Sequence, residues 1–314
     1  MTTTFPVIDF HSHYLPPGFE IGAIGDGSAQ NRARWEKIAS RISDKAALLE
    51  DIEAGDLAAR VVNSPTALLE APGRSLPDDI HERLNTSLAE LVSDHPGKLY
   101  ALASVDTFGG EAGARQLEHA VRELGLHGAF VDSAKGDLLL DAPEARPVLE
   151  AAAELRVPVF VHPVNPPGLV AQLSRFPRLG VLHARGTVNG STLIALIEGG
   201  VLEDLPELKV VVTALAVGGV LLSATYDKGE EGRPLARDLL RRQVYAETMG
   251  FNAVLLRAVI DTIGVDHVLA GSDWPIVSTG PIAGRLFEAL DEIGLSDYSK
   301  AAVASQTVLG LLHP

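Results

Sequence analysis

The 314-residue chain contains no cysteine, which excludes disulfide bonds, thiolate nucleophiles and cysteine-ligated zinc. Basic residues are scarce as well: 26 lysines and arginines face 41 aspartates and glutamates, and the net charge of −15 opposes binding to nucleic acid or an anionic membrane. No apolar run reaches the roughly 18 residues that span a bilayer. The first residues, Met-Thr-Thr-Thr, lack the basic region of a signal peptide. We therefore expect a cytoplasmic protein whose metal, if it has one, is held by histidine and carboxylate.

Short apolar segments alternate with amphipathic ones along the whole chain. Eight segments are predicted to be strands: Phe5–Phe10, Ala58–Asn63, Lys98–Val105, His127–Asp132, Val157–His162, Leu208–Ala214, Gln243–Thr248 and His267–Gly271. Eight strands alternating with helices predict an α/β protein with a (β/α)₈ TIM barrel. A doubly wound sheet is the competing fold, but it usually has a glycine-rich loop after its first strand, where this chain has His11-Ser12-His13. Composition shows no break, so we expect one domain over residues 1–314.

Two long insertions interrupt this alternation, after the first and fifth predicted strands. Residues 14–41 contain Pro16-Pro17-Gly18 and further glycines, and are predicted to be irregular. Residues 163–206 are predicted to contain one helix, around Thr192–Glu198. Because loops of this length are often lids or binding loops, both insertions are expected to shape a pocket for a small molecule.

The candidate site is a set of polar residues at strand ends. His11 and His13 are two positions apart, so on a strand both imidazoles face the same point. His162 ends the fifth predicted strand, and Asp273 follows the eighth. In a barrel the carboxyl ends of the strands face one pocket, and three imidazoles with one carboxylate suit zinc, iron or manganese.

The chain also resembles a known family through five stretches: residues 8–13, 95–103, 159–163, 205–211 and 271–275. From about Val7 to Leu312 it is similar to the amidohydrolase-related family, in the branch of aminocarboxymuconate semialdehyde decarboxylase and related non-oxidative aromatic decarboxylases. The resemblance implies a barrel of the metal-dependent hydrolase type, a homodimer, and one divalent metal, most often zinc, with manganese or iron as alternatives. It assigns His11, His13, His162 and Asp273 as the metal ligands.

One position departs from that family. Its members usually carry a histidine after the sixth strand, as acid and base beside the metal, where this chain has Ala214. An alanine cannot move a proton, so another group must act. We consider Asp273, His183 in the second insertion, and Glu247 near the end of the seventh strand as candidate catalytic residues.

The remaining polar residues carry weaker signals. Tyr14 and Trp274 flank predicted ligands and are candidate pocket walls. An arginine that binds a substrate carboxylate is also expected, and the candidates are Arg32, Arg34, Arg60, Arg74 and Arg185. No chemistry is assigned to the histidines His81, His95, His119, His127, His267 and His313.

These observations lead to three functional hypotheses. The first is a metal-dependent hydrolase, in which metal-activated water attacks a small, cyclic or aromatic substrate and Asp273 accepts a proton. It leads because it does not need the histidine that Ala214 replaces. The alternative is a non-oxidative decarboxylase of a small aromatic or unsaturated carboxylate at the same site. The third is a non-catalytic barrel, or a metal-free lactonase-like one.

Overall fold

The computed structural model of the chain describes residues 5–22, 29–70, 75–176 and 178–313, and it leaves out the side chains of residues 29–32 and 34. Within these ranges nine parallel strand segments form the barrel wall: β1 Ile8–His13, β2 Ala59–Asn63, β3 Leu99–Ala101, β4 Ala103–Ser104, β5 Ala129–Asp132, β6 Pro158–His162, β7 Lys209–Val212, β8 Val244–Glu247 and β9 Val268–Leu269. β3 and β4 continue each other through Leu102, so the nine segments make eight barrel strands.

The barrel closes between its first and last strands. Phe10 N–H donates to the Ala270 carbonyl at 2.8 Å, and Ser12 bridges Trp274 in parallel register. The predicted (β/α)₈ barrel is therefore confirmed.

Helices alternate with the strands and cover the outside of the barrel. Those in the described residues are α1 Ala29–Ile42, α2 Lys45–Ala54, α3 Ile80–Asp94, α4 Glu111–Arg122, α5 Arg146–Leu155, α6 Pro167–Leu173, α7 Gly180–Glu198, α8 Val201–Asp204, α9 Val217–Tyr226, α10 Ala236–Gln243, α11 Ala253–Ile263, α12 Ile282–Glu292, α13 Asp297–Ala301 and α14 Thr307–Leu312. Asp44 caps α2, where its side chain accepts from the N–H groups of Ala46 and Ala47. No helix in this part of the chain is long and apolar enough to cross a membrane.

The core has two layers, and the alternation of side chains along each strand produces them. In β6, Val159 and Val161 face the surrounding helices, whereas Phe160 joins an inner cluster with Phe10 and Phe130. His162 lies two positions beyond Phe160, so it shares the inward face at the carboxyl end of the strand. The aromatic interior thus forms the floor beneath the polar strand ends.

The first strand differs from its prediction in a way that matters for the site. It runs through the histidines to His13, and its pairing with β2 shifts register between Asp9 and Ser12. Both Phe10 and His11 contact the Phe160 ring, at centroid distances of 5.3 and 4.9 Å. In a regular strand, neighbouring side chains point to opposite faces of the sheet. At this irregularity the neighbours Phe10 and His11 both point into the barrel, and His13 then points inward as well.

Both predicted insertions contain more helix than expected. The prediction that residues 14–41 are irregular is wrong for the part that α1 occupies, and residues 23–28 lie outside the described residues. Residues 163–206 hold three helices, and α7 is 19 residues long rather than the single short helix predicted. A Cβ on Gly219 of α9 would lie 2.8 Å from the Cα and the carbonyl oxygen of Gly190 in α7, so this close helix crossing requires glycine. Glycine weakens the sequence signal for a helix, which explains the error.

Candidate metal centre

Three imidazoles and one carboxylate converge at the carboxyl end of the barrel. One nitrogen from each of His11, His13 and His162 lies within 4.8 Å of the other two. The two Nε2 atoms of His11 and His13 are 3.2 Å apart, and Asp273 Oδ1 lies 2.9 Å from His13 Nε2 and 3.4 Å from His11 Nε2. These side chains come from β1, from β6 and from the segment after β9, as the strand-end argument predicted.

The far edge of each β1 imidazole faces an acceptor. His13 Nδ1 lies 2.6 Å from Asn63 Oδ1, and His11 Nδ1 lies 3.4 Å from Glu247 Oε1. A proton on each Nδ1 leaves the Nε2 lone pair directed at the centre of the cluster. Acceptors behind ligand histidines are typical of metal sites, where they fix the tautomer and the ring orientation.

Glu247 is buried and held firmly. It accepts from the Ala214 N–H at 3.0 Å and from the Met249 N–H at 2.7 Å. A Cβ on Gly271 would lie 2.3 Å from Glu247 Oε2, so the last strand must have glycine there. We predicted Glu247 as a catalytic candidate; the structure places its Oε1 3.4 Å from His11 Nδ1, on the far side of the ring from the cluster, and its catalytic role stays a prediction.

Asp9 joins the two chain segments that carry most of the cluster. Its carboxylate accepts from the backbone N–H groups of His11 and Ser272, and from the hydroxyls of Ser12 and Ser272. The fully buried Arg60 lies 3.5 Å from Asp9 Oδ2. Four donated hydrogen bonds and a buried cation stabilise this carboxylate, which fixes the β1 histidines relative to the segment leading into Asp273.

Charge in the cluster is balanced between imidazoles and carboxylates. Burial lowers the pKa of His162 well below its ordinary value, and the nearby charges of Arg185, His13 and His11 lower it further, so this ring is neutral. Burial alone would lower the pKa of His11, but the carboxylates of Asp273 and Glu247 outweigh it and raise the pKa. Burial would raise the pKa of Asp273, but the charge of His11 and the close approach of His13 lower it.

This donor set fits a divalent cation. The buried Asp273 Oδ1 finds no aligned hydrogen-bond donor among the described residues, although two imidazole nitrogens crowd it. Three nitrogens and one oxygen at these separations surround a common point, and the backbone at Asp273 adopts a left-handed φ of 55° that turns the side chain toward it. Neutral imidazoles and a carboxylate are the ligands that zinc and manganese accept.

A helix from the second insertion lies over this end of the barrel. Asn189 of α7 donates to the Val161 carbonyl and accepts from the Thr213 hydroxyl, at 3.1 and 3.0 Å, and both contacts are buried. The helix carries Arg185, whose guanidinium donates to Asn165 Oδ1 at 3.4 Å. Burial lowers the pKa of Arg185, while the charges of Asp273 and Asp132 act to raise it. A cation is thus held beside the cluster.

A cavity of about 630 Å³ adjoins the cluster on the side of β2 to β6. It is lined by loops after these strands and by the start of α3, and Asp132, the register partner of His162, lies at its edge. Burial raises the pKa of Asp132 to about 6, with help from the charges of Glu70 and Asp106. Among the described residues the cavity thus meets the cluster only through Asp132, and a second group of polar side chains lines the rest of it.

The structure places the predicted histidine of the second insertion and the candidate arginines at different distances from the site. His183 is exposed on α7, and no described contact joins its ring to the cluster. Arg60 is fully buried between Asp9 and Asp51 and is unavailable as a substrate clamp, so that prediction is wrong. Arg185 is the clamp candidate that the structure brings to the site; the side chains of Arg32, Arg34 and Arg74 lie outside the described residues.

Other expectations concern pocket walls and the remaining histidines. Trp274 is buried against Arg60, 5.0 Å from the guanidinium to the ring centroid, and Tyr14 belongs to the outer core, so neither lines the cavity. His81 does line it, although no pattern in the sequence assigned it a role. Asp132 was also missed, but the signal was present, because it ends a predicted strand.

Comparisons with known proteins agree with this architecture. The profile of the Amidohydro_2 family, described as amidohydrolase, matches residues 8–307. A gamma-resorcylate decarboxylase of Polaromonas sp. is 27% identical over 262 residues, which cover 77% of this chain and 80% of that protein. The 2-amino-3-carboxymuconate-6-semialdehyde decarboxylase of Dictyostelium discoideum is 26% identical over 227 residues, covering 68% of this chain and 61% of that protein.

Solved structures show the same fold. A 5-carboxyvanillate decarboxylase of Novosphingobium aromaticivorans, with bound manganese, superposes with a TM-score of 0.81 at 18% identity, covering 98% of this chain and 97% of that one. These relatives bear out the resemblance to the decarboxylase branch that the sequence motifs indicated. The chain belongs to the Amidohydro_2 family of amidohydrolases.

Proposed function

We propose that the protein is a metal-dependent carboxy-lyase that releases carbon dioxide from a small aromatic carboxylate. The observation that carries the proposal is that Arg185 accompanies the cluster of four predicted ligands: its charge acts on His162 and Asp273, and its guanidinium donates to Asn165 of the cavity wall. An anionic substrate in this acidic protein needs such a local cation. The relatives described above are decarboxylases, which favours the alternative drawn from the sequence over the hydrolase that led it.

His11, His13, His162 and Asp273 would hold one divalent cation. The sequence favoured zinc, and related structures contain manganese, so we propose that either ion fills the site. When bound, the cation supplies a Lewis acid that holds anionic oxygens of the substrate and stabilises negative charge. Asn63 and Glu247 keep the Nε2 lone pairs of the β1 histidines available to it.

Arg185 would bind the carboxylate that leaves. A guanidinium offers parallel N–H donors that match a carboxylate, and it stays protonated despite burial. Asn165, which Arg185 already contacts at 3.4 Å, would limit its movement. The helix that carries Arg185 is tied to the barrel by buried polar contacts, so the guanidinium is held in advance of binding.

Asp273 would carry the proton in place of the missing histidine. It is ionised at rest, since the imidazoles and Arg185 lower its pKa. A substrate carboxylate would neutralise Arg185 and add negative charge nearby, which favours the uptake of one proton from bulk solvent by Asp273. The carboxyl proton then passes to the ring carbon that bears the carboxylate. The bond to the carboxylate carbon then breaks, its electron pair returns to the ring and restores its aromaticity, carbon dioxide leaves, and Asp273 is again ionised.

The proposal is tested by supplying the protein with manganese or zinc and a panel of hydroxybenzoates. We expect release of carbon dioxide, with about one equivalent of metal bound by elemental mass spectrometry and little bound in His11→Ala/His13→Ala. Asp273→Asn should lose turnover, and Arg185→Gln should raise KM more than it lowers kcat. His119→Ala, at an exposed histidine of α4 to which no chemistry is assigned, is the matched control and should behave as the parent, whereas His183→Ala tests the remaining catalytic candidate.

Competing outcomes are distinct. Hydrolysis of lactones or amides without carbon dioxide release would restore the hydrolase hypothesis. Turnover without metal would favour the lactonase-like reading, and absence of any turnover unless Ala214→His is introduced would favour a non-catalytic barrel. The homodimer expected from the family remains a prediction, to be measured by light scattering.

A further inference from the structure

One histidine in the cavity wall has a defined hydrogen-bond partner but no role in the proposed mechanism. His81 lies at the start of α3 and is half-buried in the cavity wall. Its Nδ1 lies 2.9 Å from the Ser104 hydroxyl, at the end of β4. Within the described residues no protein group bonds its other nitrogen, Nε2, which is on the opposite edge of the ring.

The support of His81 is rigid. Asn85, one helical turn further along α3, donates from its side chain to the Ser104 carbonyl and accepts from the Ser104 N–H, both at 2.8 Å. Ser104 and Asn85 are both buried. Paired amide bonds of this kind fix the serine, so the imidazole is oriented by a part of the barrel wall rather than by a mobile loop.

The position of His81 matches the length of an aromatic acid. Ser104 pairs in register with Phe130 of β5, and Asp132 of the same strand pairs with His162. Ser104 is therefore two strands from His162 and two residues before it along the strand direction, since Phe130 pairs with Phe160, and the usual spacings put the two positions about 12 Å apart. A single aromatic ring with a polar group at each end spans such a distance.

The charge around His81 restricts what that second polar group can be. The described residues lining the cavity include one lysine, Lys135, and four carboxylates, those of Glu70, Asp78, Asp106 and Asp132. Burial, with Lys135, lowers the pKa of His81 against the opposing charge of Asp106, so its ring is neutral. A neutral imidazole with Nδ1 engaged offers one donor or one acceptor at Nε2, and a hydroxyl satisfies either. A second carboxylate would face like charges.

We propose that His81 is a specificity-determining residue, whose Nε2 edge binds a neutral hydroxyl that an aromatic substrate carries opposite its carboxylate. This inference rests on the proposed function for the direction in which the substrate lies. It selects monocarboxylates with a distal hydroxyl over dicarboxylates of the same length.

Equilibrium binding tests the inference without requiring turnover. The probes are benzoate, 4-hydroxybenzoate and benzene-1,4-dicarboxylate, titrated calorimetrically into the manganese-loaded protein. We expect 4-hydroxybenzoate to bind about three- to tenfold more tightly than benzoate, the range for one hydrogen bond between neutral groups. The dicarboxylate should bind more weakly than 4-hydroxybenzoate. In His81→Leu the preference for the hydroxyl should fall to near unity, and His81→Gln, which keeps a hydrogen-bonding group, should retain part of it.

Each outcome decides between the two proposals. His119→Leu alters an exposed histidine of α4 and should keep the parent preference. An unchanged preference in His81→Leu, or tight binding of the dicarboxylate, overturns the role of His81 even if carbon dioxide release stands. A preference that depends on His81 in a protein without decarboxylase activity would support the binding role and refute the reaction. Failure of all three probes to bind the parent overturns both.

Discussion

The hydrogen bond between His13 and Asn63 can be removed without changing any predicted metal ligand, so it offers a test of the metal site. Asn63 Oδ1 lies 2.6 Å from His13 Nδ1, both residues are fully buried, and Asn63 Nδ2 has no partner among the described residues. Asn63→Leu removes this acceptor and keeps the number and branching of the side-chain heavy atoms. Loss of such a contact typically weakens metal affinity about 10- to 100-fold, which is about 1.4–2.7 kcal/mol. We expect a loss in this range for manganese or zinc.

The effect on folding should be smaller than the effect on metal binding. An unpaired Nδ1–H in the interior costs about 1–3 kcal/mol, but the variant also removes the unpaired Nδ2 group, and the two changes offset each other. We therefore expect the free energy of unfolding of the metal-free protein to change by about 1 kcal/mol or less. Urea denaturation measures that quantity, and competition with a chromophoric chelator measures the metal affinity.

Asn63→Asp is the matched variant for this test. It keeps an acceptor for His13 Nδ1 and adds a negative charge, so we expect parent-like or tighter metal binding. If Asn63→Leu binds metal as tightly as the parent while remaining folded, then the contact does not orient a ligand and the proposed site is wrong at His13. If Asn63→Leu and Asn63→Asp weaken metal binding equally, the effect comes from altered packing and not from loss of the acceptor.

Three further predictions follow from glycine packing, burial and charge. Gly271→Ala should displace Glu247, whose Oε2 would lie 2.3 Å from the new Cβ, and should weaken metal binding by chelator competition, whereas Gly284→Ala, with no heavy atom within 4 Å, should leave it unchanged. The pKa of Asp132 is raised to about 6, so its charge destabilises the metal-free fold as pH rises from about 4 through 6; Asp132→Asn should add at most about 3 kcal/mol at pH 7.5 and nothing below pH 4 in urea titrations. Arg60→Met leaves two carboxylates without their buried cation and should reduce the free energy of unfolding by about 3–5 kcal/mol; a loss below 1 kcal/mol would contradict this.

The sequence predicts the barrel well because each buried parallel strand is an apolar segment that ends at a polar residue. His11, His13, His162 and Asp273 were found by that rule alone, and the structure brings them together. Applied to every strand, the same rule would also have found Asp132. The ligand assignment itself stays a prediction until metal is measured.

Other features depend on contacts that a single sequence does not reveal. The irregularity in β1 is a matter of pairing register with β2, and no residue type signals it. The part of α7 before Thr192 was missed because the glycines that permit its close crossing with α9 also lower helix propensity. His81 is oriented by its contact with Ser104, 23 residues later in the chain, and a single histidine on a helix does not predict such a partner.

The first and last barrel strands meet at a seam between β1 and the segment that follows β9. This seam has a consequence for the order of events during synthesis of the protein. Asp9 bonds Ser272, 263 residues later in the chain, and three of the four predicted ligands flank this seam, with His11 and His13 on one side and Asp273 on the other. During synthesis the amino-terminal histidines leave the ribosome long before Asp273. Because contacts of such long sequence separation form late, a cation cannot be fully enclosed until the chain is almost complete. Metal loading is therefore expected to follow barrel closure, and a nascent chain that stops before residue 273 should retain no tightly bound ion.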